Sequence, residues 1–164
     1  MNQLDFVENK IVKNWESISQ KINLWNFKGE QIVFTNGCFD IVHRGHIDYL
    51  SKAKDKGDRL IIGLNTDKSV KALKGETRPI NDEDSRALLL ASFSFVDAVI
   101  LFNEDTPYEL INFLKPNILV KGSDYDVKDI VGSDIVINNG GRVETLDFIE
   151  GFSSTSIINK IKNS

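Results

Sequence analysis

The chain of 164 residues is 41% hydrophobic and 27% charged, with three prolines and a net charge of −4. This length suits one domain with a single core, and the composition excludes a disordered or fibrous chain. The negative charge argues against a surface that coats nucleic acid, which needs clustered excess Lys and Arg. No membrane span or signal-peptide pattern is visible, and the single cysteine, Cys38, excludes an intrachain disulfide. We therefore expect a cytoplasmic protein that binds neither nucleic acid nor membranes.

The N-terminal segment, residues 4–27, is predicted to form one amphipathic helix. Its large apolar residues recur in steps of four and three, as on one helical face, at Ile11, Trp15, Ile18, Ile22 and Trp25. We expect this face to pack on the domain, with a subunit interface as the alternative. Gly29 ends the helix. The predicted division is an N-terminal helical extension, residues 1–29, and a main domain, residues 30–164.

From residue 31 onward, short apolar runs alternate with helical segments. We predict strands at residues 31–34, 60–64, 98–102, 118–120 and 142–146. Helices are predicted at residues 46–56, 82–93, 106–114 and 153–162, with a polar loop and a short helix at 126–138. This alternation predicts a Rossmann-like, doubly wound α/β fold, namely a five-stranded parallel sheet with helices on both faces plus the N-terminal helix.

Ligands of such a fold bind beyond the carboxyl ends of the strands. Here the strands are apolar, whereas the segments that follow them are small, polar or basic. The segments after the first, second, fourth and fifth strands are Thr35-Asn36-Gly37, Asn65-Thr66-Asp67, Lys121-Gly122-Ser123-Asp124 and the stretch ending at Ser153-Ser154-Thr155. We expect the binding site at this edge of the sheet.

The stretch F-T-N-G-C-F-D-I-V-H-R-G-H, residues 34–46, joins the end of a strand, a glycine turn and both histidines of the chain. A glycine turn at a helix N-terminus presents backbone N–H groups to an anion. His43 and His46 could add donors where charge accumulates during transfer of a phosphate group. Two alternatives stay open: the histidines could bind a metal together with Asp40, or they could be ordinary surface or core residues.

The stretch 66–81 is predicted to be a long basic loop that closes over the site and excludes water. It carries Lys68, Lys71, Lys74 and Arg78. The last two flank a glycine and a proline that constrain the path of the chain. The first two are better interpreted as solvated charges.

Three further features are candidates for ligand contacts. Arg86 could point into the site or pair with Asp82 one turn earlier. Tyr125 could stack on a base or cover the edge of the core. The hydroxyl residues at 153–156 exceed what capping of the last helix requires.

These motifs resemble those of a known superfamily. The G-x-F-D-x-x-H-x-G-H turn at residues 37–46 and the hydroxyl-rich last helix are similar to those of the Rossmann-like nucleotidyltransferases, which include the cytidylyltransferases. A finer resemblance to the heptose 1-phosphate adenylyltransferases rests on T-N-G-C-F-D at 35–40, L-K-G at 73–75, R-P-I-N at 78–81 and V-K-G-S-D-Y at 120–125. These enzymes occur alone or joined to a sugar-kinase domain, and the chain is expected to resemble the stand-alone form.

The resemblance implies transfer of AMP from ATP to D-glycero-β-D-manno-heptose 1-phosphate. The products would be ADP-heptose, for lipopolysaccharide core synthesis, and pyrophosphate. The sugar phosphate would attack the α-phosphorus in line, without a covalent enzyme intermediate. Mg²⁺ would be carried with ATP, no protein metal ligand is expected, and the protein would be a homodimer.

The motifs and the resemblance together give three sets of candidate site residues. Catalytic roles are expected for His43, His46 and Lys74. Nucleotide contacts are expected from Thr35, Asn36, Gly37, Cys38, Phe39, Gly45, Lys121, Gly122, Asp124, Tyr125, Ser153, Ser154 and Thr155. Contacts with the sugar phosphate are expected from Asp40, Asn65, Asp67, Arg78 and Arg86.

One departure from the superfamily pattern bears on the substrate. The cytidylyltransferases have Arg-Thr-Glu-Gly before the hydroxyl segment, where this chain has F-I-E-G at 148–151. The missing arginine disfavours the first alternative, a cytidylyltransferase for glycerol 3-phosphate or another polyol phosphate. The second alternative is a non-catalytic module that binds ATP. The combination of two histidines, a basic segment and a serine-rich helix disfavours it, because a sensor needs affinity but no groups that stabilise a transition state.

Overall fold

The structure is a computed structural model that describes residues 2–124 and 126–163. The strands, in chain order, are β1 (Ile11–Val12), β2 (Ile32–Gly37), β3 (Arg59–Asn65), β4 (Ala98–Phe102), β5 (Ile118–Gly122) and β6 (Arg142–Leu146). The α-helices are α1 (Gln3–Glu8), α2 (Ser19–Phe27), α3 (Arg44–Lys54), α4 (Asp67–Lys74), α5 (Glu83–Ala91), α6 (Tyr108–Leu114), α7 (Ser133–Asn138) and α8 (Ser154–Lys162). Short 3-10 helices cover Trp15–Ile18 and Val127–Asp129.

The strands form one parallel sheet in the order β1-β4-β3-β2-β5-β6. Successive residues of β2 and β3 alternate between two core layers, with Phe34 and Ile61 in one and Val33 and Ile62 in the other. Helices α2, α6 and α7 contribute to the first layer, and α3 and α5 to the second. The predicted α/β class and parallel sheet are therefore confirmed.

The predicted number of five strands was wrong, because the sheet has a sixth strand, β1, inside the segment predicted to be one helix. Ile11 and Val12 pair with Val99 and Ile100 at the edge of β4. This short strand pairs with backbone groups of β4 that would otherwise be unpaired at the edge of the sheet. The side chain of Asn14 then caps the following 3-10 helix by accepting from the amide of Glu16 at 3.1 Å.

The apolar periodicity of the N-terminal segment nevertheless marks residues that are buried. Ile18, Ile22 and Trp25 lie in the same core layer as Phe34. The Trp15 indole Nε1 also donates to the carbonyl oxygen of Leu101 at 2.9 Å. The N-terminal segment thus packs directly on the β-sheet.

The predicted basic loop at 66–81 is half helical. Thr66 caps α4 by accepting from the amide of Ser69 at 3.3 Å, and Val70 buries the inner face of the helix. Gly75 ends α4 with a φ of 93°, a left-handed conformation that favours glycine. Lys74 is consequently held in the last turn of a helix.

Within the described residues, we find no helix long and apolar enough to cross a membrane.

Candidate active site

A cavity of about 390 Å³ opens at the carboxyl ends of β2, β3 and β5. The chain passes from one side of β2 to the other here, since β2 pairs with both β3 and β5. Such a switch point is where open α/β sheets bind ligands. The predicted site residues in its lining are Asn36, Gly37, Cys38, Phe39, Asp40, His46, Asn65, Lys74, Lys121, Gly122, Asp124 and Ser154.

Other predicted site residues lie around this cavity without lining it. They are Thr35, His43, Gly45, Asp67, Arg78, Arg86, Ser153 and Thr155. Tyr125 lies outside the described residues. Three lining residues were not predicted, namely Tyr49, Leu73 and Phe148.

The two histidines are fixed by the first turn of α3. Nδ1 of His43, the N-cap residue, accepts from the amide of Gly45 at 3.1 Å, and Nδ1 of His46 accepts from the amide of His43 at 3.4 Å. Each neutral ring therefore carries its proton on Nε2. The rings stack with their centroids 3.9 Å apart. The turn thus sets two Nε2–H donors side by side.

Both histidines are neutral in the free protein at pH 7. The pKa of His46 is lowered to about 4, chiefly by burial and in addition by repulsion from His43 and Lys74 when the ring is protonated. Burial also lowers the pKa of His43. Because the proton sits on Nε2, each neutral ring can still donate a hydrogen bond to an anion.

The turn leaves little room around the histidines. A Cβ at Gly45 would lie 3.1 Å from the ring of His43 and 3.2 Å from Cβ of Phe152. Phe39, with a left-handed φ of 46°, contacts the ring of His46 edge-on at a centroid distance of 5.3 Å. Steric packing therefore holds the ring pair in place.

Asp40 ties the segment after α4 to the rim of the cavity. Its buried carboxylate accepts from Nε of Arg78 at 2.6 Å and from the amides of Ile80 at 2.8 Å and Asn81 at 2.9 Å. Burial alone would raise the pKa of Asp40, but these hydrogen bonds outweigh it and lower the pKa. Nη2 of Arg78 is buried and meets no hydrogen-bond partner among the described residues.

Arg86 joins several strand ends from behind the cavity. Its side chain, in a residue only 1% exposed, donates to the backbone oxygens of Asn81 at 3.0 Å, Cys38 at 2.6 Å and Asn65 at 2.9 Å. Nη2 also pairs with the carboxylate of Asp67 at 2.8 Å. The alternative prediction, an ion pair between Arg86 and Asp82, was wrong. The side chain of Asp82 instead caps α5 by accepting from the amide of Ser85.

Lys121 and Thr35 take different places at the ends of their strands. Lys121 projects into the cavity, donates to Oδ1 of Asn36, and has its pKa lowered to about 8 by burial. Thr35 is fully buried, and its hydroxyl bonds to that of Tyr49 at 2.9 Å. Thr35 supports the wall of the cavity rather than its surface.

The N-terminus of α8 meets the histidine turn. Ser153 caps the helix by accepting from the amide of Ser156 at 3.0 Å, and the hydroxyl of Ser154 donates to the backbone oxygen of Ile41 at 3.1 Å. The ring of Phe152 lies 6.4 Å from that of His43. The partial positive end of a helix therefore faces the cavity beside the histidines.

The unpredicted lining residues had limited signals in the sequence. Tyr49 falls inside the predicted helix 46–56, where it looks like an ordinary core aromatic. Phe148 stands where the cytidylyltransferase pattern has arginine, which is the one signal that could have indicated it. Among the described residues, no group of three or more His, Cys, Asp or Glu side chains could hold a metal ion.

Residues 34–160 match the cytidylyltransferase-like family. Similar curated relatives include the bifunctional protein HldE of Campylobacter jejuni subsp. doylei, 59% identical over 162 residues, which cover 99% of this chain and 33% of that protein. HldE of Trichlorobacter lovleyi is 53% identical over 150 residues, 92% of this chain and 30% of that protein. The chain thus spans about a third of the length of these relatives.

Two solved structures are also similar. The lipopolysaccharide core biosynthesis protein from Thermoplasma volcanium is 32% identical, with a TM-score of 0.61, over 74% of this chain and 98% of that chain. Pantothenate synthetase from Thermus thermophilus is 15% identical, with a TM-score of 0.60, over 90% of this chain and 67% of that chain. The second likeness concerns the fold alone.

Proposed function

Since the chain belongs to the cytidylyltransferase-like family of nucleotidyltransferases, we propose that it transfers AMP from ATP to D-glycero-β-D-manno-heptose 1-phosphate. The products are ADP-heptose and pyrophosphate, and ADP-heptose serves lipopolysaccharide core synthesis. The relatives named HldE and the lipopolysaccharide core biosynthesis protein support this choice of pathway. The motifs shared with the heptose 1-phosphate adenylyltransferases support the choice of sugar.

The observation that carries the proposal is the hydrogen bonding of the two histidine rings, in which the two nitrogens of each ring have different roles. Both Nδ1 atoms accept backbone amides, so both Nε2–H groups are free to donate. Lys74 and Ser154 line the same cavity as His46, and the N-terminus of α8 lies beside them. This collection of donors suits a triphosphate whose charge is redistributed during transfer.

The reaction follows from this arrangement. An oxygen of the sugar phosphate forms a bond to the α-phosphorus, the bond from that phosphorus to the bridging β-oxygen breaks, and pyrophosphate leaves with the electron pair. His43 and His46 donate to oxygens that gain charge, and Lys74 neutralises the phosphates. Arg78 holds Asp40 and the segment after α4 at the rim of the cavity. Arg86 positions the loops around them.

The carboxylates of the cavity indicate how Mg²⁺ would be held. The carboxylate of Asp40 is already engaged by Arg78 and two amides, which leaves Asp124 as the other carboxylate in the described lining. This donor set suits a metal that arrives on the triphosphate, where it would neutralise charge on the phosphate oxygens. We assign no residue of the chain as its ligand.

A pyrophosphate-release assay tests the proposal. The protein is incubated with ATP or CTP and with heptose 1-phosphate or glycerol 3-phosphate. Release with ATP and heptose 1-phosphate is expected. Activity confined to CTP would contradict the heptose assignment, and ATP binding without any release would favour a non-catalytic module.

A variant separates catalysis from binding in the same assay. His46→Ala should keep ATP affinity within a few-fold and lose turnover by about a hundredfold to a thousandfold, the usual effect of removing one transition-state donor. Unchanged turnover would show that His46 is not catalytic. We also propose that the protein is a homodimer and that it is cytoplasmic. Light scattering on the purified protein tests the homodimer.

A further inference from the structure

A half-exposed aromatic side chain forms one wall of the cavity. Phe148 is 52% exposed, yet its ring is held from behind by Tyr49, with centroids 5.1 Å apart and planes at 29°. Its edge rests on Gly122, where a Cβ would overlap the ring. Phe148 is therefore a supported ring with an open face.

The support behind Phe148 is itself rigid. Tyr49 is 5% exposed, and its hydroxyl donates to the backbone oxygen of Val120 at 3.2 Å. The same hydroxyl is hydrogen-bonded to the side-chain hydroxyl of Thr35 at 2.9 Å. Two hydrogen bonds thus fix Tyr49 against the core. Because Tyr49 is fixed, the ring of Phe148 that stacks on it loses little conformational entropy when a ligand covers its other face.

The cavity is chemically divided between this ring and the phosphate-binding groups. His46, Lys74 and Ser154 offer donors and positive charge, whereas Phe148 and Gly122 offer a flat apolar surface. A ligand that matches both parts has a polyanionic portion and a planar aromatic portion. A nucleoside triphosphate has this form.

We propose that Phe148 is the stacking platform for the nucleobase and favours adenine over cytosine. This inference rests on the proposed function only in the choice of adenine nucleotide. Phe148 has no group that could form a hydrogen bond with a base, so its contribution grows with the ring area that it covers. The two fused rings of adenine cover more of it than the single ring of cytosine.

Equilibrium binding of ATP, CTP and inorganic tripolyphosphate tests the platform without a sugar substrate. Phe148→Ala should weaken ATP binding by about tenfold to a hundredfold, weaken CTP binding less, and leave tripolyphosphate binding unchanged. Phe148→Trp should restore the affinity for ATP. Phe27→Ala, which removes an exposed phenylalanine far along the chain on α2, is the matched control and should change none of the three.

Several outcomes would overturn the platform. They are unchanged ATP affinity in Phe148→Ala, an equal loss for ATP and tripolyphosphate, or loss of ATP affinity in Tyr125→Ala in place of Phe148→Ala. Absence of ATP binding in the wild-type protein would overturn it as well. Failure of the proposed function is a separate result, since ATP could then bind through Phe148 without pyrophosphate release from any sugar phosphate.

Discussion

At the scale of single residues, His43 combines a structural and a chemical role in one ring. Its Nδ1 caps α3 through the amide of Gly45, while its Nε2–H is free to donate to phosphate. Asparagine is a strong N-cap residue with an acceptor near the position of Nδ1, but it has no group at the position of Nε2. The two roles can therefore be separated by substitution.

We predict that His43→Asn keeps the free energy of unfolding within about 0.5 kcal/mol of wild type and lowers turnover by about a hundredfold to a thousandfold. His43→Ala should lose the same turnover and also about 1 kcal/mol of stability, because the cap is removed. Urea unfolding and the pyrophosphate assay measure the two effects. Full activity in His43→Asn would show that Nε2 has no catalytic role.

His46 makes the free energy of unfolding depend on pH. Its pKa in the folded protein is about 4, below the ordinary value of 6.5. The unfolded chain therefore binds more protons than the folded chain between these values. The contribution of the neutral ring is present in full above pH 6.5 and is lost as the pH falls toward 4.

We expect urea unfolding midpoints of the wild-type protein to fall as the pH is lowered through this window. His46→Gln cannot take up a proton and should show a smaller fall. The difference between the two proteins isolates the histidine, because the carboxylates are the same in both. Identical slopes would mean that the ring is not buried in a neutral form.

At the scale of elements, Arg86 of α5 holds the ends of β2 and β3 and the start of α4 together. Four of its hydrogen bonds end on backbone oxygens of Cys38, Asn65 and Asn81 or on the carboxylate of Asp67. Replacing this fully buried side chain removes the donors of all four groups, of which the carbonyl oxygen of Asn65 is buried and the carboxylate of Asp67 is 34% exposed. Arg86 is thus a positioning residue for the loops of the site.

We predict that Arg86→Met lowers the free energy of unfolding by about 3–5 kcal/mol, the usual cost of breaking a buried charged network. Arg142→Met is the matched control. Arg142 also pairs with a carboxylate, that of Glu144, but its side chain is 53% exposed, so a loss of about 1 kcal/mol or less is expected. A small effect of Arg86→Met in chemical denaturation would contradict the assigned role.

The elements also show where sequence patterns suffice and where they do not. Strands β2 to β5 are each indicated by an apolar run, because inner parallel strands are buried on both faces. Strand β6, R-V-E-T-L, lies at the edge of the sheet and is only partly buried, so its signal is weaker. Strand β1 has two residues and exists through its pairing with Val99 and Ile100, which are far along the chain. Local periodicity cannot report such a partner.

The same limit applies inside the site. The histidine turn and the hydroxyl residues of α8 are local motifs, and the structure brings His46 and Ser154 to one cavity. The partners of Arg86 are mostly backbone oxygens of distant loops, which leave no mark on residue identity. Tyr49 was hidden for a similar reason, since its contact with Phe148 depends on how α3 lies on β6.

At the scale of the whole molecule, the N-terminal segment shares the core with the main part of the chain. Val12, Ile18, Ile22 and Trp25 pack in the layer that contains Phe34. Loss of one large buried aromatic alone costs about 3–5 kcal/mol, against a typical net stability of about 5–15 kcal/mol. The division at residues 29 and 30 stays a prediction, and these contacts define how it can be tested.

We predict that a chain of residues 30–164 is unfolded or aggregates, because removing residues 1–29 exposes this core layer and frees the edge of β4. Deleting only residues 1–8 is the matched control, since α1 has no buried residue, and should change the melting temperature by a few degrees at most. Circular dichroism melting and size-exclusion chromatography measure both. A cooperative transition near that of wild type in residues 30–164 would instead make the N-terminal segment a dispensable extension, because the remaining strands and helices would then suffice for a stable core.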